Sequence, residues 1–590
     1  MGTGSTKSGS NKSRTSSAKA AAAPEPEMSD RTRVIASVAI LVVAAFLRLY
    51  NLNLVPFHHD EGVNGNFLVR LVREGYYHYD PANYHGPTLY YFSAVVPWLL
   101  RITFGVNAQN NYGLTSVAVR CVPALFGIAT IALILTLRRN LGTIATLSAA
   151  LLLAISPGAV YLSRYFIHET LFVFFTLGIV VALVKYWENP LLVYLVLAAI
   201  SAALLFATKE TAMISVAVLV IALFITMAFY ALMQSVGPGS KKQKRSGAAT
   251  ADQTFLERVG GWPRLIINLA IALIVFLVVY VLFYSSFFTN YPQGIYDSLK
   301  TFKIWQKTGQ EAHKHPVSTY VWWLLQQESP LLVLGAVGAI VAVLKPVKWF
   351  ALFSALWAFG LMAAYSLIAY KTPWLALSFI IPLALSSGVA IEWFYESLAS
   401  WTIGPGARWY VIAGVLLIAI GPLPGVARTF ADATSDRATG KDFSNTKIHG
   451  KTFIPGYQTI DLNFFNYDND NSYYVYVYAH SRREMLKLVE EINQAAQRTQ
   501  QGADTGITIV SPDYWPLPWY LRDYRRVGYH GRMTASTEPI IIARQDQAAE
   551  VQATFGDRYY QVRSGFNSAG TFALRPGVEL LLYTKRELAP

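Results

Sequence analysis

Long apolar runs alternate with short polar interruptions along the chain, and that alternation sets its architecture before any single residue is considered. Runs of roughly 17 to 25 apolar residues are long enough to cross the hydrocarbon core of a bilayer as helices. Such runs, some at the short end, occupy 34–50, 116–137, 141–160, 168–187, 190–207, 211–233, 264–285, 330–345, 349–369, 374–394 and 409–427. They predict a polytopic α-helical membrane protein with about 11 spanning helices. One further apolar stretch, 87–104 (PTLYYFSAVVPWLLRITF), decides the orientation of everything after it. If it lies in the interface, Arg138, Arg139, Lys185, the KKQKR cluster at 241–245, Lys345 and Lys348 all share a side with the basic N-terminal tail. If it spans, all of them fall outside. The positive-inside rule selects the first arrangement. Residues 51–115 then form one external loop carrying interfacial helices near 61–74 and 87–104, with Tyr and Trp at headgroup level.

The pattern changes at both ends. Residues 1–33 are rich in Ser, Ala, Lys and Gly without apolar content and read as a disordered cytoplasmic tail. No A-x-A-like site follows the first apolar run, so it reads as an uncleaved anchor opening a transmembrane domain over 34–427. In 428–590 the apolar stretches are too short to span. YYVYVYAH (473–480), GITIVSP (506–512), PIIIARQ (539–545) and VELLLYTK (578–585) read as strands, and 481–497 as an amphipathic helix. An extracytoplasmic α/β domain is the expectation.

Composition narrows the class. A chain of 590 residues that is 53% hydrophobic and 14% charged is not an ordinary soluble enzyme. The net charge of +14 has its clearest clusters in the N-terminal tail and at 241–245, which marks topology and contacts with anionic membrane lipids rather than nucleic acid. A single cysteine, Cys121, rules out an internal disulfide.

With that topology every polar motif that breaks the apolar pattern emerges on one face: HHDE at 58–61, YHGP at 84–87, SRYFIHE at 163–169, TKET at 208–211, HKHP at 313–316 and YKTPW at 370–374. Asp60 and Glu61 stand beside His58 and His59 just past the first span, where ionisable groups are costly and chemistry is the natural reason to keep them. The plainer alternative is a hydrated loop in which Asp60 caps the helix beginning near Gly62. Arg164, Lys209 and Lys371 each stand at the outer end of a helix, where a cation meets a lipid phosphate or merely snorkels to the interface. A carboxylate that accepts a proton from an attacking hydroxyl, with cations that stabilise a departing phosphate, suffices to move a group from a lipid phosphate to an alcohol.

The long first external loop with its Asp-Glu pair, the SRYF(x)HE element opening a helix and the later YKTPW together resemble the GT-C membrane glycosyltransferases. Members of similar pattern are the protein O-mannosyltransferases, the aminoarabinose transferases of lipid A, and an archaeal and bacterial group known as flippase-activity-associated. The resemblance covers about 30–400, and with the last group it extends to YWPLPWYLRDY at 514–524. It implies Asp60 as catalytic carboxylate with Glu61 as its companion, and Glu169 as a second acidic residue shaping the acceptor site, with Arg164 in the matching SR element. NYHGPTLYYF is similar to the stretch that holds a Glu-Lys-Pro in aminoarabinose transferases, but reads His85-Gly86-Pro87. The metal-binding Glu and the neighbouring Lys of those enzymes are thus replaced, and a divalent metal would have to be held by His85 with His315, imidazole being able to replace carboxylate as a zinc ligand. AHKHPVSTY at 312–320 is similar to a later His-bearing loop, which puts His313 or His315 toward the site, and His168 beside Glu169 reads as a hydrogen-bonding partner.

The expectation is a polyprenyl-phosphate-sugar-dependent glycosyltransferase on the outer face of a plasma membrane. Arg164, Lys209 and Lys371 would hold the donor phosphate, Asp60 would deprotonate a protein, lipid or glycan acceptor, and the anomeric centre would invert. A lipid-linked sugar transporter or flippase is the competing class, but its ionisable residues would be expected near the bilayer midplane, not at helix ends on one side. An oligosaccharyltransferase is the third, and no WWD-type motif is present in the tail.

Overall fold

The computed structural model describes residues 2, 28–82, 85–105, 113–236, 254–311, 314–346, 348–400, 455–468, 474–565 and 569–588. The protein is a multi-pass membrane protein. Its first ten helices are α1 (Asp30–Leu49), α2 (His59–Glu74), α3 (Thr88–Phe104), α4 (Ser116–Leu135), the short α5 (Arg138–Leu141), α6 (Thr143–Ala154), α7 (Pro157–Ser163), α8 (Glu169–Glu188), α9 (Leu192–Phe206) and α10 (Ala212–Val236). Further apolar helices run Gly261–Tyr284, Ser329–Leu344, Trp349–Leu367 and Leu377–Ser400. The apolar runs expected to span within the described residues are helical, the run 141–160 as the broken pair α6 and α7; the run 409–427, the basic cluster 241–245 and His313 lie outside those residues. Among the described residues seven helices are long and apolar enough to cross a bilayer, or nine if each of two bent pairs is one span. The helix from the 190–207 run, α9, has only 15 residues.

The two bent pairs meet at one buried carboxylate. Helix α6 turns by 60° into α7, where Ser156 caps the new helix and Pro157 opens it, a position that requires no N–H from proline. Helices Thr319–Gln327 and Ser329–Leu344 turn by 112° at Glu328. A broken helix exposes N–H groups that need acceptors. Glu328 Oε1 accepts from Gly158 N and from Ser156 Oγ, each at 2.8 Å, and ties the breaks together.

The loop between α1 and α4 enters and leaves at the same end of the bundle. Arg120, in the second turn of α4, donates to the carbonyls of Leu52, Val55 and Pro56 just beyond α1. The segment that includes the 87–104 helix thus starts and finishes beside the same end of α1 and α4.

After residue 455 the chain adds a helix, Pro455–Phe464, packed on α7, and then a mixed sheet. Its strands are β1 (Gly506–Ile509), β2 (Arg526–Tyr529), β3 (Ile540–Arg544), β4 (Tyr559–Val562), β5 (Phe572–Arg575) and β6 (Val578–Lys585). The order is β2-β1-β3-β6-β4, with β5 also on β6; β1 pairs in parallel with β2 and β3, and β6 runs antiparallel to β3, β4 and β5. Side chains alternate between faces. Ile540, Ile542, Leu580 and Leu582 meet Met485, Leu488 and Ile492 of helix Glu484–Thr499, while Ile541, Ala543, Leu581 and Tyr583 meet Val551 and Phe555 of helix Ala548–Phe555. Residues 474–480 are turns and coil rather than the expected strand. Alternation of Tyr and Val there serves a different packing: Tyr474 donates to Asp461, and Tyr476 lies in the groove over Gly158.

Candidate active site

At the end of the bundle where α1 finishes and α8 begins, a cavity of about 560 Å³ opens between the membrane helices and the C-terminal region. Asp60, His85, Glu169, Lys209 and Glu210 line it from the bundle, and Tyr478 and Arg575 from the C-terminal side.

Helix α2 presents Asp60. His58 is its N-cap: His58 Nδ1 accepts from Asp60 N at 3.1 Å, and His58 N donates to Glu61 Oε2 at 2.9 Å, a capping box in which histidine takes the place of serine. His58 Nε2 faces the Tyr478 carbonyl at 3.0 Å, which assigns the ring proton to that nitrogen. The Asp60 side chain is 42% exposed, and among the described residues no lysine or arginine forms a salt bridge with it; the neutral His58 ring lies 3.9 Å away.

Glu61 points the other way. Its side chain is fully buried in a two-pronged pair with Arg120, Nε to Oε1 at 2.7 Å and Nη2 to Oε2 at 2.6 Å, and Oε1 also accepts from Phe166 N at 2.8 Å. Glu61, expected as the catalytic companion of Asp60, does not line the cavity and ties the first loop to α4 through Arg120. Adjacent helical residues project about 100° apart, which separates the two roles. Arg120 went unnoticed in the sequence, although an arginine inside an apolar run is itself a signal of a buried partner.

The second wall is built from the SRYFIHE and TKET motifs. Lys209 Nζ lies 2.5 Å from Glu169 Oε1, and both side chains are buried. An antiparallel bridge joins His85 to Lys209, and Gly86 N donates to Thr208 O at 3.0 Å. Only glycine permits this approach, since a Cβ at position 86 would lie 2.1 Å from the Ala207 carbonyl oxygen. The bridge sets His85 Nδ1 3.2 Å from Glu210 Oε2. Glu210, within a motif noted for its polarity but not singled out, is a third acidic residue of the cavity. His168 also lines it, with Nε2 3.0 Å from the Gly86 carbonyl.

Two of the expected phosphate contacts are turned away. Arg164 is buried, donating to the carbonyls of Leu47, Arg48, Tyr50 and Asn51 and stacking 4.7 Å over Phe464, where it closes the C-terminal end of α1. Lys371 Nζ donates to the carbonyls of Ile368 at 2.6 Å and His315 at 3.2 Å. Neither lines the cavity, whereas Tyr370 and Trp374 of the same YKTPW motif do. Carbonyl oxygens at helix ends and loops compete effectively for a buried cation.

Among the described residues no group of three or more His, Cys, Asp or Glu side chains converges to hold a metal ion. His85 engages Glu210, and the His315 ring packs 5.5 Å from Trp323 without lining the cavity, so the expected pairing of His85 with His315 is not formed.

The C-terminal region closes the cavity over α2. Trp519 stacks on Phe57 at 4.5 Å, and a Cβ on Gly62 or Gly65 would come within 2.7 Å of Pro516 or 2.6 Å of Trp519. His59 faces Trp515 at 6.1 Å and Arg575 Nη1 at 3.3 Å. Burial pushes the His59 imidazole below its ordinary pKa against the opposing pull of Asp60.

The fold is similar to those of solved membrane glycosyltransferases. The description "Dolichyl-phosphate-mannose-protein mannosyltransferase" belongs to a family profile that matches residues 93–237. The structure is similar to that of ArnT from Cupriavidus metallidurans bound to undecaprenyl phosphate, at 15% identity and a TM-score of 0.57, over 95% of this chain and 100% of that one. It is also similar to the Archaeoglobus fulgidus oligosaccharyltransferase tethered to an acceptor peptide, at 13% identity and a TM-score of 0.50, over 92% of this chain and 74% of that one. No curated protein matches by sequence.

Proposed function

We propose that the protein is a glycosyltransferase that moves a sugar from a polyprenyl-phosphate donor to an acceptor hydroxyl at the extracytoplasmic face of a plasma membrane. The observation that carries this reading is the half-exposed Asp60 carboxylate at the cavity wall, while the carboxylates around it are engaged by Arg120, Lys209 and His85. The fold shared with ArnT bound to undecaprenyl phosphate supports a lipid-linked donor. The basic residues Arg138, Arg139, Lys185, Lys345 and Lys348 support an outward-facing cavity through the positive-inside rule.

In the reaction the acceptor O–H proton passes to Asp60, the acceptor oxygen attacks the anomeric carbon, and the carbon–oxygen bond to phosphate breaks with its electron pair leaving on the polyprenyl phosphate. A single displacement inverts the anomeric centre. Glu169 with Lys209, and Glu210 with His85, form a polar wall whose carboxylates already have partners, suited to hydroxyl recognition. The test is transfer by purified protein from a synthetic polyprenyl-phosphate sugar to an acceptor, with the product's anomeric configuration read by NMR. An inverted product is expected; retention of configuration or absence of transfer with every acceptor class contradicts the reading.

A further inference from the structure

A lipid phosphate in this cavity needs a cation, and the membrane helices supply few. Arg164 and Lys371 are spent on carbonyl oxygens away from the cavity, and Lys209 is paired with Glu169. The remaining Lys or Arg side chain lining the cavity, among the described residues, comes from the far end of the sequence. Arg575 stands at the tip of the β5–β6 hairpin, in the turn Arg575-Pro576-Gly577-Val578. Proline at the second position and glycine at the third, with φ +76 at Gly577, are what such a tight turn requires. The turn carries the guanidinium to the cavity, where its side chain is 21% exposed.

Its partners leave donors to spare. Arg575 Nη2 donates to Asp513 Oδ1, and that same carboxylate also accepts from Arg544 Nη1 at 2.9 Å, so Asp513 is shared between two guanidinium groups. Arg575 Nη1 faces His59 Nδ1 at 3.3 Å. Two of the five guanidinium N–H groups are thereby used. A guanidinium only donates, so His59 Nδ1 accepts and its Nε2 carries the ring proton. Arginine and histidine together offer N–H donors beside Asp60.

We propose that Arg575, with His59 beside it, is the contact for an anionic oxygen group of the substrate, so that the C-terminal hairpin completes the site. The assignment rests on the glycosyltransferase reading and deepens it. The anionic group comes from the donor phosphate or from an acidic group on the acceptor, and the chemistry of recognition is the same for both.

Binding of undecaprenyl phosphate to the full-length protein in nanodiscs, together with the acceptor KM in the transfer assay, separates the sources. Arg575→Gln is expected to weaken undecaprenyl phosphate binding about 10- to 150-fold, the scale of a charge-assisted hydrogen bond, with Arg575→Lys intermediate. Arg544→Gln removes the other guanidinium from Asp513 without touching the cavity and is expected to leave binding unchanged. Unchanged lipid binding in Arg575→Gln with a raised acceptor KM assigns the anion to the acceptor. Wild-type binding and wild-type KM in a folded Arg575→Gln overturn the proposal, as does an equal loss in Arg544→Gln, which would mark a structural salt-bridge cluster. A wild-type protein that binds no undecaprenyl phosphate and transfers no sugar removes the underlying reading itself.

Discussion

Replacing Glu61 with glutamine tests whether the acidic pair divides its labour as the geometry indicates. The Glu61 carboxylate accepts four hydrogen bonds: from Arg120 Nε, Arg120 Nη2, His58 N and Phe166 N. An amide offers one acceptor oxygen, and its NH2 would face N–H donors wherever it is placed. The substitution also leaves the Arg120 guanidinium buried without a counter-charge, the situation that typically costs about 3–5 kcal/mol. Equilibrium unfolding of Glu61→Gln in mixed SDS micelles should show a loss of this size. The double variant Glu61→Leu/Arg120→Met should not recover it, because the carbonyls of Leu52, Val55 and Pro56 then lose their donor as well. Residual folded Glu61→Gln should still bind undecaprenyl phosphate. A variant as stable as the wild type yet inactive would refute the structural assignment and return Glu61 to the chemistry.

Other consequences are as direct. Arg164→Gln should destabilise the protein by about 1.5–3 kcal/mol, since the carbonyls of Leu47, Arg48, Tyr50 and Asn51 lose their charged donor, while undecaprenyl phosphate binding stays unchanged; weakened binding in a stable variant would restore a phosphate role. Gly62→Val should push Pro516 and the C-terminal region off α2, increasing its proteolytic sensitivity and lowering transfer at least about tenfold through displacement of Asp60; unaltered proteolysis and transfer would contradict the docking described. His480 is fully buried among Tyr161, Tyr165 and His58, and burial pushes its pKa well below the ordinary value. The folded protein therefore binds fewer protons at this site than the unfolded chain, so its contribution to stability is complete above about pH 6.5 and is lost as pH falls toward the folded pKa. Thermal unfolding between pH 7.5 and 5 should show a decline that is smaller in His480→Gln.

Hydropathy located the helices because a run of apolar residues has few other stable fates in a bilayer. It also located the polar motifs that form the cavity wall, since Asp60, Glu169 and Lys209 all interrupt apolar segments. Direction was not legible. Asp60 and Glu61 are neighbours in sequence but face the cavity and Arg120 respectively, and Arg164 and Lys371 found carbonyl acceptors that a one-dimensional pattern cannot show. Arg575 was hidden by distance along the chain, although its Pro-Gly turn was readable. The segment 473–480 alternates like a strand, yet across 474–480 it forms turns that send its tyrosines into the bundle, where contacts across the fold outweighed local pattern.

The central claim is that Asp60 takes the acceptor proton, and turnover of a polyprenyl-phosphate sugar by purified Asp60→Asn measures it most directly. Asparagine keeps the shape and removes the charge, so transfer should fall by about 100-fold or more while undecaprenyl phosphate binding remains at the wild-type level. Wild-type turnover by Asp60→Asn would contradict the account, and loss of transfer in Glu169→Gln alone would place the base on the opposite wall.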